Sequence, residues 1–410
     1  MKKILVIGAG PAGCVSACYL KNKGYDVTII EKSKFPRFVI GESLLPISME
    51  HFEEVGLLPV LESAGFEVKS GALFIRGKEE IDISFSEYFT KGWTWTWQVP
   101  RDEFDHILAQ EAERKGVKIH YETTIEDLRF LDSVVKGTFC KGENHFTEDY
   151  EYVIDSSGNA GVLSSMLSIK KVSSKSGRRS LFTQVKELNR DQFPRANRIT
   201  FDVLAQDLWF WVIPFSNGNT SLGFVGGEQW FEGSTDPNEQ FRGMLQKSEN
   251  FKSRFEELEY LFPVRGVEDY TCQAEQLFGD RFVLAGNTTG FIDPVFSSGV
   301  AMATSSGLLA AKLIHRTLSG ESVNWDQEYT GYMKEAAGVF AAFVNTWYSG
   351  HLHDVFFYPK IQMPIKKQLT SVLAGYVWDK KNPFVVKKEK LIETLSKVIA
   401  LDTETVEGTS

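Results

Sequence analysis

Three glycines and one glutamate near the start of the chain have the spacing of a phosphate-binding turn. Gly8, Gly10 and Gly13 follow the apolar run KILVI, and Glu31 ends the next apolar run. In a strand–helix–strand unit such glycines permit a tight turn, let backbone approach a pyrophosphate and let the helix pack close to the strand. The helix start offers N–H groups to phosphate, and the carboxylate can accept hydrogen bonds from ribose hydroxyls. Residues 2–32 therefore predict a dinucleotide-binding site, and this motif alone does not show whether the dinucleotide is FAD or NAD.

A second anion site is predicted where Ser298 and Gly299 open a helix. The buried strand 282–285 ends at Gly286 and Asn287, and an irregular loop leads to a helix rich in Ala, Gly and Ser. N–H groups at its N-terminus could bind an anion, and its small side chains would let the backbone approach a flat ligand. The alternative is a close-packed helix without a ligand.

Two tryptophans in WFWVIP (209–214) could form an aromatic wall. Trp209 and Trp211 share one strand face because side chains alternate with a period of two, and Pro214 ends the strand. The alternative is a pair of core tryptophans. A similar string, WTWQVP (95–100), leads into Arg101.

The segments GAGPAG (8–13), PRFVIGESLLP (36–46) and 99–128 resemble FAD-dependent flavoproteins of the monooxygenase type. The resemblance places Arg101 on the flavin side and the backbone near Ile125 against the adenine. A surface arginine at a helix start is the alternative for Arg101, although that end of the helix dipole disfavours a cation. The FAD-binding residues that the resemblance implies in this part of the chain are Gly8, Gly10, Ala12, Gly13, Glu31, Lys32, Ser43, Arg101, Ile125 and Asp155.

The stretch DPVFSSGV (293–300) is similar to flavin-dependent halogenases that act on phenols and pyrroles. The resemblance implies a halide site at Ser298 and Gly299. Asn287 replaces an aspartate that usually binds the ribityl chain, and its amide oxygen can accept the same hydrogen bond. Phe296 replaces a glutamate of the tryptophan-type halogenases, which argues against an indole substrate. The further FAD contacts implied here are Gly286, Asn287, Pro294, Gly299 and Val300.

The same halogenases contain a G-W-x-W-x-I-P motif that keeps the substrate away from the flavin. The residues that match it are Trp209, Trp211, Ile213 and Pro214, while Leu208 stands in place of the glycine. WTWQVP is accordingly interpreted as a strand of the ordinary FAD scaffold.

The resemblance also assigns a catalytic lysine. The segment GFEVKSGALFIRG (65–77) places it at Lys69, which would hold hypohalous acid or be chlorinated by it. An ammonium group in apolar surroundings is a strong donor whose pKa is readily lowered. A strand lysine that reaches solvent is the alternative.

Together these features predict a reduced-flavin-dependent halogenase. It would use FAD, O₂ and chloride or bromide, receive reduced flavin from a separate flavin reductase, and act on a small phenol or pyrrole, either free or bound to a carrier protein. The alternatives are a flavin-dependent monooxygenase, a geranylgeranyl-reductase-like oxidoreductase that shares the GES and DSSG elements, and a non-catalytic flavoprotein. DSSG (155–158) stands where NADPH-binding hydroxylases carry Asp-Gly.

The predicted fold class is α/β (α+β) with three parts. Residues 1–170 and 270–318 are expected to form a Rossmann-type FAD-binding domain, and residues 65–100 and 171–269 an antiparallel substrate-side sheet. Residues 319–410 are expected to form a C-terminal helical region, with helices at 329–350, 361–376 and 387–399 and a disordered tail from 402.

Composition narrows the partners and the compartment. The 410 residues carry a net charge of −9 without a long basic run, which predicts no nucleic-acid binding. The four cysteines show no metal-site or disulfide spacing, so we predict no metal and a reducing compartment. The N-terminal apolar run serves as the nucleotide-binding strand rather than as a signal peptide. Since no apolar run reaches transmembrane length, we expect a soluble, cytoplasmic protein.

Overall fold

The computed structural model describes residues 2–173, 177–187, 189–268 and 271–407. The chain divides into two compact units. Unit 1 comprises residues 1–65, 99–173 and 271–335, and unit 2 comprises residues 66–98, 174–270 and 336–410. The three-part division expected from the sequence stays a prediction, and the two units are described separately below.

The strands are, in chain order, β1 (Lys3–Ile7), β2 (Asp26–Ile30), β3 (Glu67–Lys69), β4 (Gly71–Arg76), β5 (Glu79–Ser84), β6 (Thr96–Gln98), β7 (Lys118–His120), β8 (Thr124–Phe130), β9 (Val135–Lys141), β10 (Asn144–Tyr150), β11 (Tyr152–Asp155), β12 (Lys171–Ser173), β13 (Arg178–Lys186), β14 (Thr200–Ala205), β15 (Leu208–Pro214), β16 (Asn219–Gly227), β17 (Arg265–Glu268), β18 (Cys272–Ala274), β19 (Phe278–Gly279), β20 (Phe282–Leu284) and β21 (Gly290–Phe291).

The helices are α1 (Pro11–Asn22), α2 (Ile47–Val55), α3 (Leu58–Ser63), α4 (Arg101–Arg114), α5 (Val162–Met166), α6 (Pro237–Leu245), α7 (Lys252–Phe255), α8 (Ser298–Leu318), α9 (Tyr332–Tyr348), α10 (His351–Phe356), α11 (Met363–Leu373), α12 (Pro383–Lys387) and α13 (Glu389–Glu407). A π-helix at Asp326–Gly331 leads directly into α9.

Unit 1 is built on a sheet with the strand order β19–β20–β11–β1–β2–β7. Strand β1 lies between β11 and β2 and pairs in parallel with both. A central parallel strand has both faces covered, which explains why β1 is a continuous apolar run whose last four residues are buried. Helix α1 connects β1 to β2. The predicted α/β class with a Rossmann-type unit is confirmed. Strand β1 coincides with the apolar run KILVI, and β2 ends directly before Glu31.

Two smaller sheets complete unit 1, in the orders β10–β9–β8 and β12–β18–β21. Helix α8 lies close against α1. A β-carbon at Gly307 would come within 2.4 Å of the carbonyl oxygen of Ala12, so only a glycine permits this approach. At this position the small residue of α8 allows close helix–helix packing, which is the alternative to ligand binding that the sequence left open for this helix.

Unit 2 is built on a sheet with the order β17–β13–β16–β15–β14–β4–β5. Neighbouring strands are antiparallel, as predicted for this region, except for the parallel pair β14 and β4. One face of the sheet contributes Phe210, Val212 and Phe224 to a core that also contains Phe241 of α6. The opposite face carries Trp209 and Trp211.

Helices α9, α11 and α13 overlap the three predicted C-terminal helices, whereas the short helices α10 and α12 were not predicted. The sequence predicted a disordered tail from 402, whereas α13 continues to Glu407. That prediction is wrong for residues 402–407, because the helical pattern of the preceding residues continues into them, and residues 408–410 lie outside the described part of the chain. Every helix of the described residues is too short or too polar to cross a bilayer.

We expect Gly223→Ala to lower the free energy of unfolding by about 1–3 kcal/mol, the usual cost of overpacking a core. An added β-carbon would lie 2.1 Å from Cζ2 of Trp211 on the neighbouring strand. The control is Gly243→Ala on α6, where the added β-carbon meets nothing within 4 Å, and which we expect to raise stability by up to about 1 kcal/mol. Urea unfolding measures both; equal effects would contradict the packing argument.

Candidate active site

The glycine turn of unit 1 has no room for a β-carbon at two of its glycines and has free space at the third. A β-carbon at Gly8 would lie 2.7 Å from the carbonyl oxygen of Ser156, and one at Gly13 would lie 2.0 Å from that of Gly8. At Gly10 the nearest atom is Nη2 of Arg37 at 3.8 Å. No side chain caps the start of α1. The turn therefore combines open space above Gly10 with a helix N-terminus, which is the arrangement that binds a pyrophosphate.

Glu31 is held at the end of β2 beside this turn. Its carboxylate accepts hydrogen bonds from the backbone N–H of Ala9 at 3.0 Å and of Ser33 at 2.8 Å, and its side chain is buried. Lys32, which follows it, is exposed. Because a carboxylate has more than two lone pairs, Glu31 can still accept from ribose hydroxyls as predicted.

Arg37 was not identified as a site residue from the sequence, and the structure places it at the turn. Its guanidinium lies 3.7 Å from the Glu31 carboxylate, pairs with Asp105 at 3.0 Å and faces Gly10. An arginine beside a pyrophosphate-type turn supplies positive charge to bound phosphate. The only available signal was its position in the PRFVIGES segment.

Arg101 is buried, so the alternative of a surface arginine is wrong. It forms two hydrogen bonds with Asp105, at 2.8 and 3.1 Å, and donates to the carbonyl oxygens of Ile40 and Gly41, both at 3.1 Å. Asp105 compensates the charge that the helix dipole disfavours. These bonds hold the 40–41 loop against α4, and the predicted flavin contact of Arg101 stays a prediction.

Three further residues predicted to contact FAD differ in their hydrogen-bonding groups: Ser43, Asp155 and Ile125. The hydroxyl of Ser43 is buried without a hydrogen-bond partner among the described residues, as expected of a group that binds a ligand. Both carboxylate oxygens of Asp155 accept backbone N–H groups, from Ser157 at 2.9 Å and Leu163 at 2.8 Å, and burial raises its pKa. Ile125 is the second residue of β8, lies beside a bulge and is half-buried.

The second part of the predicted cofactor site follows β20. Gly286 has φ +67°, and a β-carbon there would lie 3.2 Å from that of Ala12, so this loop lies close against the start of α1. The amide of Asn287 donates to Asn159 at 3.2 Å. That bond orients the Asn287 amide and leaves its oxygen as the group that can accept from a ribityl hydroxyl.

Helix α8 begins at Ser298, as predicted. Ser297 precedes it with φ +55°, no side chain caps the helix, and Ser298 and Val300 are buried. A β-carbon at Gly299 would lie 3.3 Å from the ring of Phe291, and the turn is closed by a bond from Ser297 N–H to the carbonyl oxygen of Pro294. The uncapped start of a long helix can bind an anion, and the halide site at Ser298 and Gly299 stays a prediction.

Lys69 is buried in unit 2, so the alternative of a solvent-reaching lysine is wrong. It lies on β3, opposite Thr96 of β6, with a residue exposure of 4%. The ammonium lies 5.6 Å from the centre of the Phe85 ring. Burial, and secondarily the positive charge of Arg198, lower the pKa of Lys69 from 10.5 to about 7. Arg198 itself is paired with Asp82 at 3.0 Å.

Trp209 and Trp211 share one face of β15, as predicted. Trp211 lies opposite Phe201 on one neighbouring strand and Gly223 on the other. The two ring centres are 5.9 Å apart. Each indole N–H has a partner, the Tyr348 hydroxyl at 3.1 Å for Trp209 and the Ser221 hydroxyl at 3.2 Å for Trp211.

Both tryptophans belong to an aromatic layer on this face of the unit 2 sheet. Phe201, which contacts Trp209, stacks on Phe74 at 4.7 Å, and Phe74 contacts Trp347 of α9 at 5.6 Å. Trp209 is 1% and Trp211 6% exposed. They are therefore core residues of unit 2, and the barrier role of the motif that includes Ile213 and Pro214 stays a prediction.

The string WTWQVP is divided between the two units, since its residues up to Gln98 belong to unit 2 and Val99 and Pro100 belong to unit 1. Its strand β6 is part of unit 2 and pairs with the strand that carries Lys69. Trp95 contacts both Trp93 and Trp97, with ring centres about 5 Å apart. Its assignment to the FAD scaffold stays a prediction, and the pairing between 67–69 and 96–98 leaves no local signal in the sequence.

These residues fit FAD in unit 1. The uncapped starts of α1 and α8 offer N–H donors to phosphate, and there is space for it above Gly10. The buried hydroxyl of Ser43, which has no partner in the described part of the chain, can bond to the polar chain of a flavin.

Comparison with known proteins agrees with this fit. The model of a family described as FAD binding domain matches residues 1–344. The chain is 28% identical to the 1H-pyrrole-2-carbonyl-[peptidyl-carrier protein] brominase of Pseudoalteromonas luteoviolacea (strain 2ta16), over 92% of each chain.

Two solved structures are similar over nearly the whole chain. A flavoprotein/dehydrogenase from Cytophaga hutchinsonii is 45% identical, with a TM-score of 0.94 over 98% of this chain and 100% of that one. A triple mutant of the flavin-dependent brominase Bmp2 is 25% identical, with a TM-score of 0.83 over 96% and 99%. The halogenases among these relatives favour halogenation over the monooxygenase and reductase alternatives.

We expect Gly10→Ala to weaken FAD binding by about tenfold or more, that is by at least about 1.4 kcal/mol, without disturbing the fold. The added methyl makes only an ordinary contact with Arg37 but occupies the space through which a pyrophosphate approaches. Titration of the apoprotein with FAD, followed by quenching of flavin fluorescence, measures the affinity. Gly243→Ala is the control, and wild-type affinity in Gly10→Ala would contradict the predicted phosphate position.

We expect Lys69→Met to be more stable than the wild type at pH 6, because methionine has no charge to bury. The gain should be at most about 5 kcal/mol, since folding lowers the pKa of Lys69 from 10.5 to about 7 and each factor of ten in proton affinity corresponds to about 1.4 kcal/mol. The pKa of Lys69 is lowered in the folded protein, so between pH 7 and 10.5 the unfolded chain binds more protons and wild-type stability rises with pH. The advantage of the variant should thus shrink over that window. Urea unfolding at several pH values measures it, with exposed Lys78→Met as control; a pH-independent difference would contradict the lowered pKa.

Proposed function

Because the chain belongs to the FAD binding domain family, we propose that it is a reduced-flavin-dependent halogenase in which Lys69 activates hypohalous acid for transfer to an electron-rich aromatic molecule. It is an FAD-dependent enzyme of the oxidoreductase type. The observation that carries the proposal is the position that the family resemblance assigns to the catalytic lysine. At that position the chain holds a buried lysine whose pKa lies at about 7.

In unit 1, the chain binds the cofactor and the halide. Gly8, Gly10 and Gly13 form the phosphate turn, and the backbone N–H groups at Ser298 and Gly299 bind chloride or bromide. Bound reduced FAD, together with O₂ and the halide, would supply hypohalous acid. The Ser43 hydroxyl and the Asn287 amide orient the flavin chain.

In unit 2, the Lys69 ammonium donates a hydrogen bond to the oxygen of hypohalous acid. This withdraws electrons from the oxygen–halogen bond and makes the halogen more electrophilic. A ring carbon then bonds to the halogen, the oxygen–halogen bond breaks, and the oxygen leaves as water with the proton from Lys69. The ring loses its own proton, which restores the ammonium, so the sum is arene plus hypohalous acid to halogenated arene plus water.

The surroundings of Lys69 support the donor role. A lysine with a pKa of about 7 is protonated in about half of the molecules at neutral pH and transfers its proton far more readily than an exposed lysine, whose pKa is above 10. The Phe85 ring near the ammonium and the buried strand β6 opposite Lys69 limit access of water, which would otherwise solvate hypohalous acid.

The name of one relative supports the substrate class that we propose. The brominase from Pseudoalteromonas luteoviolacea acts, by its name, on a pyrrole carbonyl group attached to a peptidyl carrier protein. We propose a phenol or pyrrole for this chain, either free or carrier-bound, with reduced flavin supplied by a separate flavin reductase. Its four free cysteines agree with a reducing, cytoplasmic location.

We expect brominated product when the protein is incubated with reduced FAD, O₂, bromide and a panel of phenols and pyrroles. Lys69→Ala should lower the rate by about 100-fold or more, the contribution of a positioned proton donor, while FAD binding is retained. The exposed Lys78→Ala is the control. In the wild type the rate should fall as pH rises above about 7, because the ammonium is lost. Mass spectrometry of the products measures the reaction.

Three outcomes would contradict parts of this proposal. Full activity of Lys69→Ala would exclude Lys69 from the mechanism. Rapid reduction of bound FAD by NADPH alone, without halogenated product, would favour the reductase-like or monooxygenase alternative. Bound FAD without turnover by any reductant would indicate a non-catalytic flavoprotein.

A further inference from the structure

The sheet β10–β9–β8 of unit 1 has one apolar face and one face with polar side chains. Phe139 and Phe146 stack at 5.1 Å on the apolar face, and Tyr150 contacts Phe139 at 6.1 Å. Alternation along each strand places the neighbours of these residues on the opposite face. Cys140 and His145 are the residues next to Phe139 and Phe146.

On the polar face three different metal-binding side chains converge, one from each strand. His145 of β10 lies directly opposite Cys140 of β9, and Cys140 lies opposite Thr124 of β8. Glu126, two residues after Thr124, sits at a bulge between Ile125 and Asp127. The ligand atoms of Glu126, Cys140 and His145 all lie within 4.8 Å of one another, and Nδ1 of His145 is 3.0 Å from the Glu126 carboxylate.

We propose that Glu126, Cys140 and His145 form a zinc site. Thiolate, imidazole and carboxylate are the three ligand types that Zn²⁺ takes in proteins, and three protein ligands leave the fourth tetrahedral position for water. The presence of sulfur disfavours Mg²⁺ and Ca²⁺, which take oxygen ligands.

Hydrogen bonds orient the three ligands before any metal arrives. The Cys140 thiol donates to the carbonyl oxygen of Gly142 at 3.2 Å, in the turn that joins β9 to β10. Cys140 is half-buried whereas Glu126 and His145 are exposed, so the metal would bind from solvent with the thiolate innermost. An exposed Glu–His pair by itself contributes little stability, whereas a metal bound to all three residues would join the three strands.

The site is separate from the proposed halogenation chemistry. Its ligands are none of the residues assigned to FAD, the halide or hypohalous acid, although Glu126 follows Ile125, the residue expected near the adenine. Binding of Zn²⁺ would therefore stabilise the β8–β9–β10 sheet without a catalytic role, and metal binding stabilises the folded state by mass action.

Titration of the reduced, FAD-loaded protein with Co²⁺ tests the site, since Co²⁺ adopts the same geometry and reports a cysteine ligand by a thiolate charge-transfer band in the near ultraviolet. We expect one Co²⁺ per chain, displaced by Zn²⁺. Cys140→Ser should abolish the band, and Glu126→Gln or His145→Ala should weaken Co²⁺ binding by about tenfold or more. Cys272→Ser and Glu143→Gln are the matched controls and should leave the titration unchanged.

Far-ultraviolet circular dichroism and FAD content, measured on every variant, separate lost ligands from lost folding. A titration that is unchanged in Cys140→Ser, or lost equally in Cys272→Ser, would overturn the proposal and indicate an adventitious ion only. Absence of the charge-transfer band in the wild type would overturn it as well.

Discussion

The turn between β1 and α1 has no room for a side chain at two of its three glycines, and the cofactor site of unit 1 depends on this constraint. Because a β-carbon at Gly13 would lie 2.0 Å from the Gly8 carbonyl oxygen, the helix can start directly against the strand end. The helix N-terminus then points its N–H groups to the space above Gly10. Glu31 and Arg37 meet at the same turn, and Gly307 lets α8 pack against Ala12. Glu31, Arg37 and α8 are thus all positioned by one closely packed corner.

In unit 2 the corresponding constraint is burial of a cation. A lysine removed from water loses solvation of its charged form, so its pKa falls towards neutrality. The lowered pKa makes the folded protein less stable and at the same time makes the lysine a better proton donor. A residue that lowers stability in this way is expected at a functional site. Burial alone does not identify a function, however. Trp209 and Trp211 are just as deeply buried, and there the aromatic layer with Phe201 accounts for it.

Local patterns in the sequence predicted the elements whose causes are local. The apolar runs 3–7 and 26–30, the glycine spacing between them, the helix start at Ser298 and the shared face of the two tryptophans all depend on residues a few positions apart. Contacts between distant segments were not predicted. The pairing of β6 with β3 leaves no local signal in the sequence, and Arg37 was overlooked because its partners Glu31 and Asp105 come from two other elements.

The sequence by itself determined the FAD-binding unit and the positions of the candidate halide and lysine groups, because each is encoded in a short contiguous motif. Only the tertiary structure decided the environment of those groups: that Lys69 is buried beside Phe85, that Arg101 is tied to Asp105, and that Glu126, Cys140 and His145 share one face of a sheet. Solvation, pKa and ligand geometry are set by neighbours from other strands and helices. Spacing along the chain does not contain that information.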